Sequence, residues 1–230
     1  MFKSLLSFMT GHDWTKEIVE SFDEMVGLAE KNFGLCADHL LTPENAEAIR
    51  DELYARDREI NEHERTIRRR VITHIAARPS EHEIPTAIVL TSLVKDAERI
   101  GDYVKNLYEV HRIHDDVLTR EPYDRHFDGI RTTVKKLFAD VRKSFRDGDA
   151  DAARDAITRG RETMRRCEAE IREIAATEKS VPVAVALVLI GRHLKRIVAH
   201  LVNIATAVVV PADRIDYYDE RGLEDPGEGR

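Results

Sequence analysis

Two sets of apolar residues in this chain stand a constant 97 positions apart. The first is Leu90, Leu93, Ala97, Ile100, Val104 and Leu107; the second is Leu187, Ile190, Leu194, Ile197, Leu201 and Ile204, with Asn106 mapping onto Asn203. Within each set the spacing alternates between three and four, which places every member on one side of an α-helix; strands alternate by two. A seam of this kind must be buried against other helices, and its recurrence at a fixed offset is the mark of a duplicated unit. Sandwich and Rossmann folds are excluded by this pattern.

Between its prolines the chain is rich in Ala, Glu, Arg, Leu and Ile, which favour helix. Thr42-Pro43-Glu44 reads as an N-cap followed by proline at the first helical position, and Asp147-Gly148-Asp149 as a helix end followed by a new cap. Six helices are expected, at about 13–40, 44–78, 84–119, 124–146, 149–178 and 182–210. The predicted fold is all-α: two antiparallel three-helix repeats, residues 1–121 and 122–213, packed lengthwise into an elongated six-helix bundle. Residues 214–230 are charged, with almost nothing apolar from Asp219 onward, and read as a disordered tail.

Charge and length narrow the function classes. The 230 residues carry 43 acidic and 36 basic side chains, a formal net charge of −7, with 42% apolar residues for a core. Without a basic block, a general nucleic-acid partner is not expected. Cys36 and Cys167 lie far apart with no Cys-x-x-Cys, so neither a disulfide framework nor a structural zinc site is indicated, and a reducing compartment fits. The N-terminal stretch lacks a long apolar region and a small-residue cleavage pattern, and the run from Val181 to Gly191 is too short to span a bilayer, so no transmembrane segment is expected.

Candidate chemistry concentrates on the second and third helices. Glu98 and Asp102 stand four apart on one face of the third, with Gly101 between them. Like charges at this spacing disfavour the helix slightly, and a mid-helix glycine costs roughly 1 kcal/mol relative to alanine, which hints at close approach by a backbone or ligand. On the second helix Leu53, Ile60 and Ile67 repeat by seven, and Asp57 and Glu64 repeat by seven beside them, with Asn61 four beyond Asp57. Carboxylates at core-like positions need pairing or a cation, because burying an unpaired one is very unfavourable. Two readings follow. Either Asp57, Asn61, Glu64, Glu98 and Asp102 form an oxygen-rich metal site, or the acids are compensated by Lys95, Lys105, Arg56, Arg68 or Arg99.

Other chemistries find little support. Glu-x-x-His, the spacing of ferritin-like di-iron sites, does not occur; nor does a G-x-S-x-G elbow, a phosphate-binding loop or a dinucleotide fingerprint. His193 and His200, seven apart beside the last seam, have no evident third ligand and read as bundle histidines.

AERIGDYVKNL at 97–107 resembles the E-R-I-G-D signature of the PhoU family, bacterial and archaeal phosphate-uptake regulators built from two three-helix repeats. RDREINEHERTI at 56–67 is similar to that family's D-x-x-[IV]-[ND]-x-x-E segment. The resemblance implies a non-enzymatic, cytoplasmic adaptor of phosphate transport and phosphate-starvation signalling, peripheral at most to the inner face of the membrane. Its implied partners are the phosphate-transporter ATPase subunit and a sensor histidine kinase, with a homodimer also compatible. It further implies a bound divalent or trivalent metal ion on Asp57, Glu64, Glu98 and Asp102, with Asn61 peripheral; iron, manganese, magnesium and zinc all suit such oxygen donors. The alternatives are a carboxylate-ligated metalloenzyme and a structural accessory of a membrane phosphate permease, with Phe2, Leu5, Leu6, Phe8 and Met9 as a docking segment or a fold-capping strip.

The second repeat departs from the signature. Lys195 stands where Glu is expected, Val198 where Gly is, and Ala199 where Asp is. Matching Ile171 to Ile67 sets Arg161 against Asp57, Arg165 against Asn61 and Glu168 against Glu64. Fixed positive charge therefore replaces the carboxylates, and internal pairing with Glu168 is the expected outcome.

Overall fold

The computed structural model describes residues 13–39, 43–77, 81, 83–113 and 120–210. These form six helices: α1 (Asp13–His39), α2 (Pro43–Ala77), α3 (Ile84–Ile113), α4 (Arg120–Asp147), α5 (Ala150–Thr177) and α6 (Val181–Val209). No strand occurs among the described residues. The helices pack as two units, α1–α3 and α4–α6, that meet through α3 against α6 and α1 against α4. None of the helices is long and apolar enough to cross a membrane.

Both seams are buried throughout, from Leu90 to Leu107 on α3 and from Leu187 to Ile204 on α6. On α2, Leu53, Ile60, Ile67 and Val71 are buried as their spacing predicts. The cap at the α4–α5 turn also forms as expected: Gly148 takes a φ of 62°, and the Asp149 carboxylate accepts hydrogen bonds from the backbone N–H groups of Asp151 (3.1 Å) and Ala152 (3.0 Å). One boundary differs. Helix α4 begins at Arg120 rather than near 124, because Pro122 sits inside the first turn, where no N–H has an intrahelical acceptor to lose. The apolar N-terminal strip, the end of the expected third helix at 114–119 and the charged tail lie outside the described residues.

The two units are tied by polar contacts set into apolar surroundings. On the α1–α4 side, Arg142 donates from Nε and Nη2 to the two oxygens of Asp23 (3.0 and 2.9 Å) and from Nη1 to Glu30 (2.6 Å). Phe33 and Phe138 pack 5.5 Å apart below it, and Phe22 and Phe145 5.0 Å apart. Between α3 and α6, the buried Asp96 carboxylate meets His200 Nδ1 at 2.7 Å and accepts from Asn203 Nδ2 at 3.0 Å. Tyr103 lies between the histidines, stacked on His200 (5.6 Å) and tilted against His193 (6.0 Å). Pairs running 96 to 203 and 103 to 193 show α3 and α6 to be antiparallel.

Local packing separates the glycines. A Cβ on Gly34 would meet nothing within 4 Å, whereas one on Gly160 would overlap Val202 Cγ2 and leave a stiff β-branched neighbour to move. Gly34→Ala should therefore raise unfolding stability by roughly 0.5–1 kcal/mol through helix propensity. Gly160→Ala should lower it by about 1–3 kcal/mol despite the same propensity gain. Urea titrations of both variants check this; a stabilised Gly160→Ala would contradict the packing argument.

Burial holds His193 below its ordinary 6.5, with Arg192 adding to that effect and Glu109 opposing it. The unfolded chain thus takes up the proton first, so this residue's contribution is present above the ordinary histidine range and is lost as pH falls through it. Thermal unfolding between about pH 7.5 and 5.5 should fall less steeply in His193→Phe, which keeps a ring against Tyr103 but has no proton to bind. Equal slopes in variant and wild type would rule this residue out as a source of the acid sensitivity.

Candidate functional site

The α2–α3 pair brings all of the sequence-marked acids to one face. Asp57, Asn61 and Glu64 project at spacings of four and three from α2, and Glu98 and Asp102 four apart from α3. Gly101 permits the approach: a Cβ there would stand 3.1 Å from Ile60 Cδ1 and 3.9 Å from Asp57 Oδ1. The close neighbour of this glycine is thus a side chain of the opposite helix, where a backbone or a ligand was expected.

Lysines lie between the carboxylates. Lys105 Nζ donates to Asp57 Oδ2 (3.0 Å) and Asp102 Oδ1 (3.2 Å), bridging the two helices. Lys95 Nζ donates to Glu98 Oε2 (2.6 Å) and reaches within 4.0 Å of Glu64 Oε1. Arg68 Nη2 pairs with Glu64 at 3.1 Å, and Arg99 lies 3.9 Å from Glu98 and 3.5 Å from Asp102. Arg56 turns away to Glu52. Asn61 is half-buried between Asp57 and Glu64 in the chain.

The electrostatics follow from that arrangement. Asp57 is 8% exposed, so its partner matters more than those of the rim residues. Burial raises the Glu98 carboxyl above the usual carboxylate range, and repulsion from Asp102 and Glu64 adds to the rise against the pull of Lys95. Burial pushes Lys105 down, but Asp57 and Asp102 outweigh it and leave the ammonium group more firmly protonated than usual. The face is an ion-pair network in which Asp57, Glu64, Glu98 and Asp102 each have a cationic partner. As arranged, no three His, Cys, Asp or Glu side chains among the described residues converge at metal-ligand spacing. The donor set suits a hard cation in chemical kind, and such an ion would exchange with the Lys95 and Lys105 ammonium groups.

In the second repeat, Lys195 pairs with Glu168 across α5 and α6, the internal pairing expected from the sequence. Arg165 pairs with Glu162 on its own helix at 2.9 Å. Val198 replaces the glycine because the small residue has changed helices: Gly160 on α5 now faces Val198 and Val202 on α6. Both cysteines are buried with thiols pushed up by desolvation, Cys167 to about 12, which leaves them unreactive.

Two polar groups went unmarked in the sequence. Asp96 adjoins Lys95 and looks like part of the same polar stripe, yet it points to α6; the available signal was Asn203, a lone amide in the apolar stretch from Leu201 to Val210. Arg142, which spans to α1, stands in a helix with many surface arginines and lysines and carries no distinguishing spacing.

Comparison with known proteins bears on this arrangement. No curated protein matches the chain. Among solved structures, the crystal structure of PhoU from Pseudomonas aeruginosa aligns with a TM-score of 0.74 at 22% identity, covering 91% of this chain and 97% of that one. The crystal structure of the phosphate transport system regulatory protein PhoU from Streptococcus pneumoniae aligns with a TM-score of 0.72 at 18% identity, covering 89% and 95%. At these identities the likeness establishes the fold. The PhoU domain family model matches twice, over residues 22–110 and 129–208, once in each three-helix unit. With both halves matched and most of its length covered, this chain belongs to the PhoU domain family.

Proposed function

We propose that the chain is a non-enzymatic regulatory adaptor of phosphate transport and phosphate-starvation signalling. The observation that carries this reading is the match of both three-helix units to the PhoU domain family. The Streptococcus pneumoniae neighbour, described as a phosphate transport system regulatory protein, supports it. In this reading the adaptor works by contact with a transporter ATPase subunit and a sensor histidine kinase at the cytoplasmic side of the membrane. Deleting the gene in its native host should make phosphate uptake, or expression of starvation genes, less responsive to abundant phosphate. If both responses persist unchanged and the purified protein turns over a substrate, the metalloenzyme alternative replaces this reading.

The first-repeat face takes a hard cation in this proposal. Asp57, Glu64, Glu98 and Asp102 supply carboxylate oxygens, and Asn61 stands at the edge of the set. A bound metal would supply fixed positive charge there, coupling partner contact to metal supply. Support comes from the oxygen-only donor set that the α2–α3 pair gathers on one face. The second repeat has Arg161, Arg165 and Lys195 at the matching positions, so occupancy belongs to the first repeat alone.

Metal analysis of the full chain tests this. Asp102→Asn and Glu98→Gln should each lower metal content, whereas Lys105→Met, which frees Asp57 and Asp102 from their shared ammonium partner, should raise it. The same Lys105→Met should cost about 1–3 kcal/mol in metal-free buffer, because it leaves the buried Asp57 unpaired. Metal content that ignores all three substitutions would leave the lysine-paired network as the whole account of this face.

A further inference from the structure

Seen along its outer side, the α5–α6 pair presents basic residues in register. On α5, Arg161, Arg165, Glu168 and Arg172 follow at spacings of four, three and four; on α6, Val181, Val185, Val188, Arg192 and Lys195 do the same. The Lys195–Glu168 ion pair fixes the two stripes side by side, and Gly160 brings the helices close. Arg165, Arg172 and Arg192 are exposed, and neither Arg172 nor Arg192 is ion-paired among the described residues. Arg172 and Arg192 both lie close enough to Glu168 to stabilise its carboxylate, after the larger effect of Lys195. Glu168 thus faces three cations, Lys195, Arg172 and Arg192, while Arg165 is paired with Glu162. At the N-terminal end of α6 the stripe turns apolar, with Val181 72% and Val185 45% exposed.

The corresponding face of the first repeat has no such imbalance. There Asp57, Glu64, Glu98 and Asp102 are matched by Lys95, Lys105, Arg68 and Arg99. One scaffold therefore carries a balanced face and a net positive one at equivalent places.

We propose that the α5–α6 face is a docking surface for an acidic segment of a partner protein, whose carboxylates pair with Arg165, Arg172 and Arg192 and whose apolar end covers Val181 and Val185. Charge complementarity selects the partner's sign, and the shape selects its form. From Arg161 to Arg172 the stripe runs about 16 Å, one helix pair wide, which suits a single helix or extended strand of a protein. A bilayer would also press on the exposed Glu162 and Glu173 at its flanks and has no broad apolar plane to enter. The existing Arg165–Glu162 pair is an exposed contact between near neighbours on one helix, of a kind that exchanges readily for an incoming carboxylate.

The test uses the full chain and a labelled helical peptide of about 18 residues, long enough to span the stripe, with glutamates along one face and two leucines at one end. Fluorescence anisotropy should show binding that weakens from low salt to about 0.15 M. The triple variant R165E/R172E/R192E should lose about tenfold or more in affinity, the triple Arg→Lys variant should retain most of it, and V181D/V185D should weaken it separately. A control, R58E/R65E/R69E on the exposed side of α2, changes the net charge equally and should bind like wild type. Circular dichroism reports that each variant is folded. Equal loss in both charge-reversed triples would reduce the effect to overall charge and overturn the proposal. So would failure of the wild type to bind the peptide, or sedimentation with phosphatidylglycerol vesicles in place of peptide binding. None of these outcomes depends on the phosphate-regulatory reading, which the deletion experiment tests alone.

Discussion

The antiparallel contact of α3 with α6 organises this molecule. Each is the third helix of its unit, each buries its seam from end to end, and their packing joins the two units into one core. Apolar seams alone would tolerate a slip of one helical turn, since Leu, Ile and Val are nearly interchangeable along them. Asp96 removes that freedom. Its carboxylate is buried, and among the described residues His200 and Asn203 are the side chains that meet it. Moving α6 so that Ile204 and Ala207 took the places of His200 and Asn203 would set the charge against aliphatic carbon, a loss of several kcal/mol per buried ion. The partly exposed Arg142 clamp on Asp23 and Glu30 ties the other side of the junction.

Duplication has kept the core of the two units and altered their faces. The seam residues correspond one to one at an offset of 97 and are all buried. Close approach of the second and third helices is also kept, though by different means: Gly101 faces Ile60 in the first unit, and Gly160 faces Val202 in the second. Either placement removes one side chain from the contact, so packing does not require the glycine on a particular helix. This explains why a valine at position 198 is compatible with the fold although the signature has glycine there.

Periodicity made the fold legible because burial on a helix follows from spacing, and spacing is written in the chain. The α2 seam and the cap at Asp149 were readable for the same reason. What escaped was three-dimensional. The start of α4 at Arg120 was hidden by Pro122, which marks a helix beginning without saying which residue of the first turn it occupies. Asp96 shares a neighbourhood with Lys95 in sequence but points to another helix, so only the packing reveals its partners. On the α2–α3 face Asp57 and Glu64 are marked by their core-like positions, Glu98 and Asp102 by their spacing about Gly101, and Lys95 and Lys105 are among the expected compensators; that Lys105 would bridge two helices is a matter of distance alone.

That bridge sets the terms of the cation exchange proposed for the first-repeat face. Lys105 holds Asp57 and Asp102 together with a single positive charge carried on a flexible stem, and its side chain is 22% exposed. An ammonium group so placed can leave for solvent without disturbing the backbone, whereas a guanidinium held at two oxygens, like that of Arg142 on Asp23, would have to break both contacts. Lysine therefore keeps the carboxylates paired in the structure, and in the proposed reading it is the partner that a metal ion would displace. In the second unit the corresponding exchange has no carboxylate pair to serve, since Ala199 stands opposite Asp102 and Lys195 opposite Glu98. The same helix pair thus offers anchored negative groups with removable partners on one repeat and anchored positive groups on the other, and any partner that touches both will find a fixed polarity in the bundle.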